Sequence, residues 1–372
     1  MAMVTRTQRI GENATHHPVT KGLFKPEAAK PRAALGTISN NVTERNAFLV
    51  KQKPQVVKEH HETVVEKPPP PVKAETIDIE SPMRAMELGA DEVIEDIDAF
   101  DIENPQLCCE YVKDIYKYME KLEATFQVKP IYMSDQPQIN AKMRCILVDW
   151  LVQVHLRFTL LQETLFLTIS IIDRYLQNNH IEKSKLQLVG VTAMLVASKY
   201  EEMYAPEVRD FVYITDNTYS SQEIRDMEQG MLLSLDYSLG APLSLHFLRR
   251  YSRAGDATPE IHTMAKFLTE LCLQEYGMLQ FTPSKQAAAA LYLSMKLADS
   301  SAQWTTTLEH YSNYSEDNIL PCVRKMAQQV VAMTTSKQQA VRNKYSSTKF
   351  MKIAKEPSLS SNVVLDLAAA AE

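Results

Sequence analysis

Glycine is scarce in this sequence, with nine residues among 372, and this scarcity argues against several classes of enzyme. The phosphate loop G-x-x-x-x-G-K-[ST], the dinucleotide-binding G-x-G-x-x-G and the nucleophile elbow G-x-S-x-G do not occur, nor does the zinc-protease motif H-E-x-x-H. The histidine pairs at 16–17 and 60–61 lack further metal ligands at a useful spacing. We therefore expect no catalytic site, no cofactor and no bound metal ion.

Long apolar runs are also missing. No run approaches the roughly 18 to 20 residues that a membrane-spanning helix needs, and the N-terminal MAMVTRTQRIGENATHH contains no apolar signal core. We expect a protein of the cytoplasm and nucleus without a membrane partner. The five cysteines form no C-x-x-C pair and are interpreted as reduced thiols. The net charge of −6 argues against binding to nucleic acid, which requires a basic surface.

Charge is unevenly distributed along the first hundred residues. Residues 1–73 contain 12 Lys/Arg and 6 Asp/Glu, whereas residues 75–103 contain one Arg and 11 acidic residues. Half of the 18 prolines lie at or before Pro82, and the first tyrosine is Tyr111. Because such a segment cannot bury enough apolar surface to offset its ordering entropy, we predict that residues 1–103 form a disordered arm.

Helical periodicity begins after Asn104-Pro105, where Asn can cap a helix and Pro suits its first turn. Residues 104–134 are predicted to form one amphipathic helix and a connector. Apolar spacings of three and four then predict two five-helix units, residues 135–240 and 241–345, followed by an uninterpreted tail, 346–372. The predicted helices of the first unit are 138–158, 163–178, 183–203, 207–213 and 221–234. Those of the second unit are 243–253, 259–275, 283–298, 304–311 and 316–334.

The two units resemble each other in sequence. AMLVASK at 193–199 aligns with ALYLSMK at 290–296, an offset of 97, and Tyr219-Ser220 aligns with Tyr314-Ser315, an offset of 95. Nearly equal offsets indicate a duplicated five-helix unit. The small residues at 287–290 allow close helix packing, which predicts that the third helix lies at the centre of each unit. The predicted fold is therefore all-α.

Four segments resemble the cyclin family. MRCILVDWL at 143–151 is similar to the MRAILVDWL signature that opens the first cyclin-box helix. Later cyclin-box segments resemble LLQETLFLTISIIDRYL at 160–176, KLQLVGVTAMLVASKYEE at 185–202 and FTPSKQAAAALYLSMKLA at 281–298. The resemblance covers residues 104 to about 340, and IIDRYLQ, LQLVG and the long arm are most like a mitotic B-type cyclin. It implies two tandem cyclin boxes in a subunit that binds and activates a cyclin-dependent kinase.

The resemblance also implies a surface groove that receives Arg-x-Leu peptides of protein substrates. The residues that correspond to this groove are Met143, Ile146, Leu147, Trp150, Gln153, Leu186 and Gln187. Gln153 stands where S-phase cyclins often have Glu, and a neutral side chain makes a hydrogen bond roughly half as strong as a charged one. In the alternative interpretation these side chains belong to the core, which would account best for Ile146 and Leu151.

For the kinase contact, the resemblance implies a Lys in the third helix of the first box, a Glu in the fifth and apolar neighbours. These residues are Lys199, Glu228, Tyr200 and Leu232. Tyr111 and Tyr118 of the N-terminal helix stand where cyclins add kinase contacts, although both could instead pack that helix onto the bundle. Without the family motif, Lys199 would be interpreted as part of a solvated helix face.

Within the arm, PRAALGTISN at 31–40 resembles the cyclin destruction box R-x-x-L-x-x-x-x-N. The matching residues are Arg32, Leu35 and Asn40. R-x-x-L also begins at Arg144 and Arg157, but there it lies in a predicted helix and lacks the Asn. The resemblance implies recognition by the anaphase-promoting ubiquitin ligase. Ser81, which precedes a proline beside the acidic segment, is a candidate phosphorylation site.

Two other functions remain as alternatives. The first is a nucleic-acid-binding transcription factor with the same doubled fold, which would need a basic face and usually a metal-binding ribbon. The second is a helical enzyme whose site has no recognised motif. Activation of a partner kinase would distinguish both from a cyclin.

Overall fold

The computed structural model describes residues 94, 96–99, 101 and 103–370, and this part of the chain contains thirteen α-helices and no β-strand. The predicted all-α fold is confirmed. Helix α1 (Val112–Thr125) precedes the first five-helix unit. That unit comprises α2 (Ala141–Phe158), α3 (Gln162–Leu176), α4 (Leu186–Glu201), α5 (Val208–Ile214) and α6 (Ser221–Ser234). The second comprises α7 (Ser244–Ala254), α8 (Pro259–Cys272), α9 (Pro283–Ala298), α10 (Thr306–Ser312) and α11 (Glu316–Met333), and α12 (Ala340–Tyr345) and α13 (Asn362–Ala369) follow.

Side-chain caps determine where several helices begin. The Asn140 side chain accepts a hydrogen bond from the backbone of Met143 at the start of α2, at 3.1 Å. Thr258 and Thr282 cap α8 and α9, and each is followed by a proline at the first helical position. These signals are local in the sequence and add to the apolar spacing, and the ten helices of the two units begin and end within three residues of their predicted bounds.

The N-terminal helix begins later than predicted. Asn104 caps only a short 3₁₀ turn, Pro105–Leu107, and Cys108 then adopts a left-handed backbone with φ 49°. This conformation interrupts the helix, so that α1 starts at Val112. Apolar spacing carries no information about a single left-handed residue, and the prediction of a helix directly after Pro105 was wrong.

Contacts with the second unit begin before residue 104, where the sequence analysis placed the end of the arm. Ile97 and Asp98 are buried, and the Asp98 carboxylate forms a bidentate ion pair with Arg250 of α7. The Arg250 guanidinium also lies over the rings of Tyr116 and Tyr311, 5.4 and 4.9 Å from their centres. Asp98 therefore helps to hold α1 on the second unit.

The third helix of each unit lies at its centre, as predicted. Residues 188–198 of α4 and 287–290 of α9 are buried. Helix α4 packs against the other four helices of its unit, and α9 packs against α7, α8 and α11 and also contacts α13. Gly190 permits a particularly close crossing of α2 and α4, because a Cβ at this position would lie 2.8 Å from Leu147 Cδ1.

A buried arginine of the first unit forms an ion pair within that unit and a hydrogen bond to the second unit. Arg144 is 2% exposed and donates to both carboxylate oxygens of Asp173, each at 2.6 Å. It also donates to the backbone carbonyl of Leu273 in the second unit, at 2.9 Å. Since Arg144 is buried in a helix, the R-x-x-L string that it begins is not available as an extended peptide.

The tail packs against the second unit. Ile353, Leu359 and Val364 are buried, and α13 lies against α11. Lys344, in the last turn of α12, forms a buried ion pair with Glu270 of α8 at 2.6 Å. Short 3₁₀ turns space these apolar residues irregularly, so the tail showed no helical or strand periodicity in the sequence.

Candidate functional site

The C-terminal end of α4 and the middle of α6 present an ion pair at the protein surface. Lys199 Nζ lies 2.6 Å from Glu228 Oε1, and the two side chains are 50% and 15% exposed. The packing of α4 on α6 brings these residues together from positions 29 apart in the sequence. Because Lys199 is half-exposed, solvent screens its charge and the pair contributes little to stability.

Apolar side chains surround this ion pair. Tyr200 is 54% exposed and Leu232 is half-buried. Two further exposed residues, Leu233 and Tyr237, were missed by the sequence analysis, because a Leu and a Tyr at the end of a helix are indistinguishable from core residues until their exposure is known. Gly240 accommodates Tyr200, since a Cβ there would lie 3.1 Å from the tyrosine hydroxyl. We name this region, residues 199, 200, 228, 232, 233 and 237, the α4–α6 surface.

Helix α1 exposes a second apolar stripe. Tyr111 and Tyr118 are 59% and 61% exposed, so the alternative in which both pack the helix onto the bundle is wrong. Ile115 lies between them on the same face and is also exposed, although the sequence analysis did not select it. Tyr116 points the other way, and its hydroxyl donates to the backbone carbonyl of His246 at 2.9 Å.

Helix α2 has two apolar sides. Val148, Leu151 and Val152 are fully buried against the first unit. The opposite stripe has the helical spacing i, i+3, i+4, i+7 and ends with Trp150. We name this surface, together with Gln153 and the first turn of α4, the α2 groove; its residues are Met143, Ile146, Leu147, Trp150, Gln153, Leu186 and Gln187.

The side chains of the α2 groove differ in their exposure. Leu147 and Leu186 are buried and form the floor, whereas Met143, Trp150 and Gln187 are half-buried. Ile146 is 49% exposed, so the alternative that assigned it to the core is wrong.

Gln153 is exposed at the end of this groove, and its amide donates to the Asp149 carboxylate at 3.2 Å. The other Asp149 oxygen accepts hydrogen bonds from Gln274 and from the backbone of Ala340. Asp149 therefore places a negative charge beside the neutral Gln153.

The buried ionisable groups that the structure describes serve packing. Among the residues with described positions, no group of three or more His, Cys, Asp or Glu side chains could hold a metal ion. Burial lowers the pKa of His155 to about 4, and its Nε2 lies 3.0 Å from the carbonyl of Leu161. Glu202 accepts hydrogen bonds from Leu161 N and Thr164 Oγ1 rather than forming an ion pair. No helix in the described ranges is long and apolar enough to cross a membrane.

The residues predicted for the arm lie outside the described part of the chain. They are Arg32, Leu35, Asn40 and Ser81.

The comparisons with protein families match the two units separately. The family model described as cyclin, N-terminal domain, matches residues 114–240, and the one described as cyclin, C-terminal domain, matches residues 242–359. The chain belongs to the cyclin family. The matched ranges meet between α6 and α7, where the first predicted unit ends at residue 240.

Several relatives of this cyclin carry the name G2/mitotic-specific cyclin-B. That of Marthasterias glacialis is 55% identical over 302 residues, which cover 81% of this chain and 78% of the relative. That of Patella vulgata is 60% identical over 274 residues, 74% of this chain and 67% of the relative. The G2/mitotic-specific cyclin-B1 of Carassius auratus is 43% identical over 391 residues, 98% of each chain. The resemblance to a mitotic B-type cyclin is confirmed.

A solved structure supports the fold. The viral cyclin from herpesvirus saimiri superimposes with a TM-score of 0.53 at 22% sequence identity, covering 58% of this cyclin and 96% of that chain.

Proposed function

We propose that this cyclin is the regulatory subunit of a mitotic cyclin-dependent serine/threonine kinase, which it binds as a heterodimer and activates without catalytic activity of its own. The observation that carries the proposal is the Lys199–Glu228 ion pair, which stands at the surface beside the exposed Tyr200. Exposed aromatic side chains next to charged groups are typical of protein interfaces. The stripe of Tyr111, Ile115 and Tyr118 on α1 supplies a second candidate contact.

The mechanism we propose is a shift of the kinase between two conformations. The α4–α6 surface binds the kinase in the conformation in which the kinase's own Lys-Glu pair and metal site are assembled. Moving such an equilibrium from about 1:99 to 99:1 requires roughly 5.5 kcal/mol of differential binding, which an interface of ordinary size can supply.

Charge reversal at the α4–α6 surface tests the proposal. Glu228→Lys and Lys199→Glu are each expected to lower histone phosphorylation by the co-purified kinase by about tenfold or more, because a charge that contacts the partner becomes repulsive. The double exchange restores an ion pair within the cyclin but keeps both charges reversed for the kinase. Activity should stay low in the double variant; full activity there would assign the pair to stability alone.

A control is available on α5. Arg209 and Glu207 form an exposed ion pair at the start of this helix, at 2.8 Å. Arg209→Glu should leave kinase activation unchanged. Equal losses at both pairs would contradict a specific kinase contact. Failure of the wild-type chain to activate any cyclin-dependent kinase would favour the transcription-factor or enzyme alternatives.

The second part of the proposal is substrate selection by the α2 groove. The exposed Ile146 and the half-buried Met143 and Trp150 offer apolar surface to the Leu of an Arg-x-Leu peptide. Gln153 offers a neutral hydrogen-bond acceptor to the Arg of the peptide. The Asp149 carboxylate, which accepts a hydrogen bond from Gln153, places a negative charge beside it. We propose that this cyclin binds Arg-x-Leu substrates more weakly than a cyclin with Glu at this position.

The third part is removal by ubiquitin-dependent proteolysis at mitotic exit, through recognition of Arg32, Leu35 and Asn40 by the anaphase-promoting ubiquitin ligase. Deletion of residues 31–40 should prolong the half-life of the protein at mitotic exit, measured after a block of protein synthesis. Deletion of the equally long 41–50 is the control. Unchanged turnover after the first deletion would exclude the destruction box. We propose residence in both cytoplasm and nucleus, and phosphorylation of Ser81.

A further inference from the structure

A second groove lies on a different face of α6 from the α4–α6 surface. Its volume is about 500 Å³, and it is bounded by the segment 180–182, the start of α4 and the stripe Glu223, Asp226, Met227, Gly230 of α6. This stripe has the helical spacing i, i+3, i+4, i+7, so its residues share one face. Glu228 and Leu232 lie on another face of the same helix. We name this surface the α6 groove.

The floor of the α6 groove is apolar and its rim is acidic. Tyr175 and Leu188 are buried beneath it, and the half-buried Met227 completes the floor. Glu182 and Asp226 stand on the rim, and among the described residues neither has a cation within ion-pair distance. Only Glu223 is paired, with Lys185. Hydrogen bonds from Ser220 and Lys185 hold the pKa of Glu223 at about 2, so this carboxylate remains charged.

Gly230 is the most informative residue of the groove. It lies inside α6, where glycine costs roughly 0.5–1 kcal/mol relative to alanine. Gly190 has a packing reason, the contact with Leu147, but a Cβ at Gly230 would meet no atom within 4 Å. Its backbone is helical, so no left-handed conformation requires glycine either. Nothing within the described structure needs the missing side chain, whereas a partner that approaches the helix backbone closely would need it.

We propose that the α6 groove is an accessory docking site for an extended segment of a partner protein that carries an apolar anchor residue flanked by Lys or Arg. The anchor fits over Leu188 and Met227 beside Gly230, and the flanking cations pair with Glu182 and Asp226. The partner is a substrate, because the segment 185–188 at the start of α4 borders both grooves: Leu186 and Gln187 lie in the α2 groove, and Lys185 and Leu188 line the α6 groove. One substrate peptide can therefore occupy both, an assignment that rests on the function proposed above.

The test measures binding of a short fluorescein-labelled peptide, with one Phe between pairs of Arg, to the full chain by fluorescence anisotropy. Gly230→Leu fills the groove and should lower the affinity by about tenfold or more, while the thermal unfolding temperature stays the same or rises. Asp226→Lys should lower the affinity and reduce its salt dependence. Gln229→Leu, an exposed neighbour outside the groove, is the control and should bind like the wild type.

Several results would overturn the proposal. The first is that a peptide in which Glu replaces Arg binds as tightly as the probe peptide. The second is that the Gly230→Leu variant binds the probe with the affinity of the wild type. The third is that the chain self-associates in sedimentation experiments and that Gly230→Leu abolishes this association. Tighter binding of a separate peptide of residues 1–73 than of the probe would make the occupant part of this chain instead of a substrate. Kinase activation is measured separately in the same variants with a short substrate peptide that carries no docking segment, and it should be unchanged. If the wild-type chain does not activate the kinase, the proposed function is refuted. If the wild-type chain activates the kinase but does not bind the probe peptide, only the α6 groove proposal is refuted.

Discussion

Among single residues, burial shifts the pKa values of one carboxyl group and one imidazole in opposite directions. Glu123 of α1 accepts hydrogen bonds from the backbone N–H and hydroxyl of Ser284, each at 2.6 Å, at the start of α9. Burial nevertheless raises the pKa of its carboxyl to about 7. His155 is buried as well, and its pKa falls to about 4. Between pH 4.5 and 6.5, Glu123 is therefore protonated in the folded protein and ionised in the unfolded chain. In the same range, His155 is neutral in the folded protein and protonated in the unfolded chain.

The Glu123→Gln variant should separate these two effects. Because the folded-state pKa of Glu123 is raised, its contribution to stability is present at low pH and is lost as the pH rises from about 4.5 to 7. Gln imitates the protonated carboxyl, so the variant should gain on the order of 2–3 kcal/mol over the wild type between pH 5 and pH 8. Urea unfolding across this range measures the difference. A difference that is constant with pH would contradict the raised pKa.

Residue identity alone did not determine which apolar side chains are exposed. Ile146 and Leu147 are adjacent in one helix and chemically alike, yet Ile146 is 49% exposed and Leu147 is 6% exposed. Helical periodicity places both side chains near the same stripe of α2. Their different burial follows only from the position of α4 next to α2. The core alternative relied on composition and was wrong for Ile146, whereas Leu147 and Leu186 of the same set are buried.

At the scale of helices, close crossings depend on single small residues. Gly190 lets α2 approach α4 so closely that Leu147, the floor of the α2 groove, fills the space in front of it. The starts of helices such as α2 and α8 could be predicted because their caps, Asn140 and Thr258, are local signals, and the other helices of the two units were recognised by their apolar periodicity. The start of α1 could not be predicted, because it depends on the left-handed Cys108 rather than on a cap.

Two matched substitutions test this view of the helix crossing. Gly190→Ala should lower the free energy of unfolding by about 1–3 kcal/mol, since Leu147 must move to admit the new Cβ. It should also weaken Arg-x-Leu peptide binding to the α2 groove, measured by fluorescence anisotropy. Gly230→Ala meets no neighbour and should instead raise stability by about 0.5–1 kcal/mol. Equal effects of the two substitutions would show that helix propensity, not the crossing, determines the result.

In the whole molecule, the units are connected by polar groups that the sequence did not reveal. Arg144 was recognised only as the start of an R-x-x-L string, yet it donates hydrogen bonds to both units. Glu270 of α8 accepts from Gln162 of the first unit and from Lys344 and Tyr345 of α12. The internal sequence similarity predicted two units. It could not predict the interface between them, because the residues that form this interface are not part of the repeated sequence pattern.

The Lys344–Glu270 pair allows a final test of how the molecule is held together. Both side chains are almost inaccessible, so Lys344→Met leaves the Glu270 charge buried with only the Gln162 and Tyr345 donors. We expect a loss of about 3–5 kcal/mol in the free energy of unfolding, measured in urea. The double variant Lys344→Met, Glu270→Leu removes both charges and should recover most of this loss.

The exposed pair of Lys113 and Asp96 provides the control, and Lys113→Met should change stability far less. If the double variant were as unstable as Lys344→Met, the ion pair itself would be required to dock α12 on the second unit. If it recovers, the unpaired charge accounts for the loss, and apolar contacts such as that between Phe267 and Tyr345 are sufficient to hold the C-terminal segment in place.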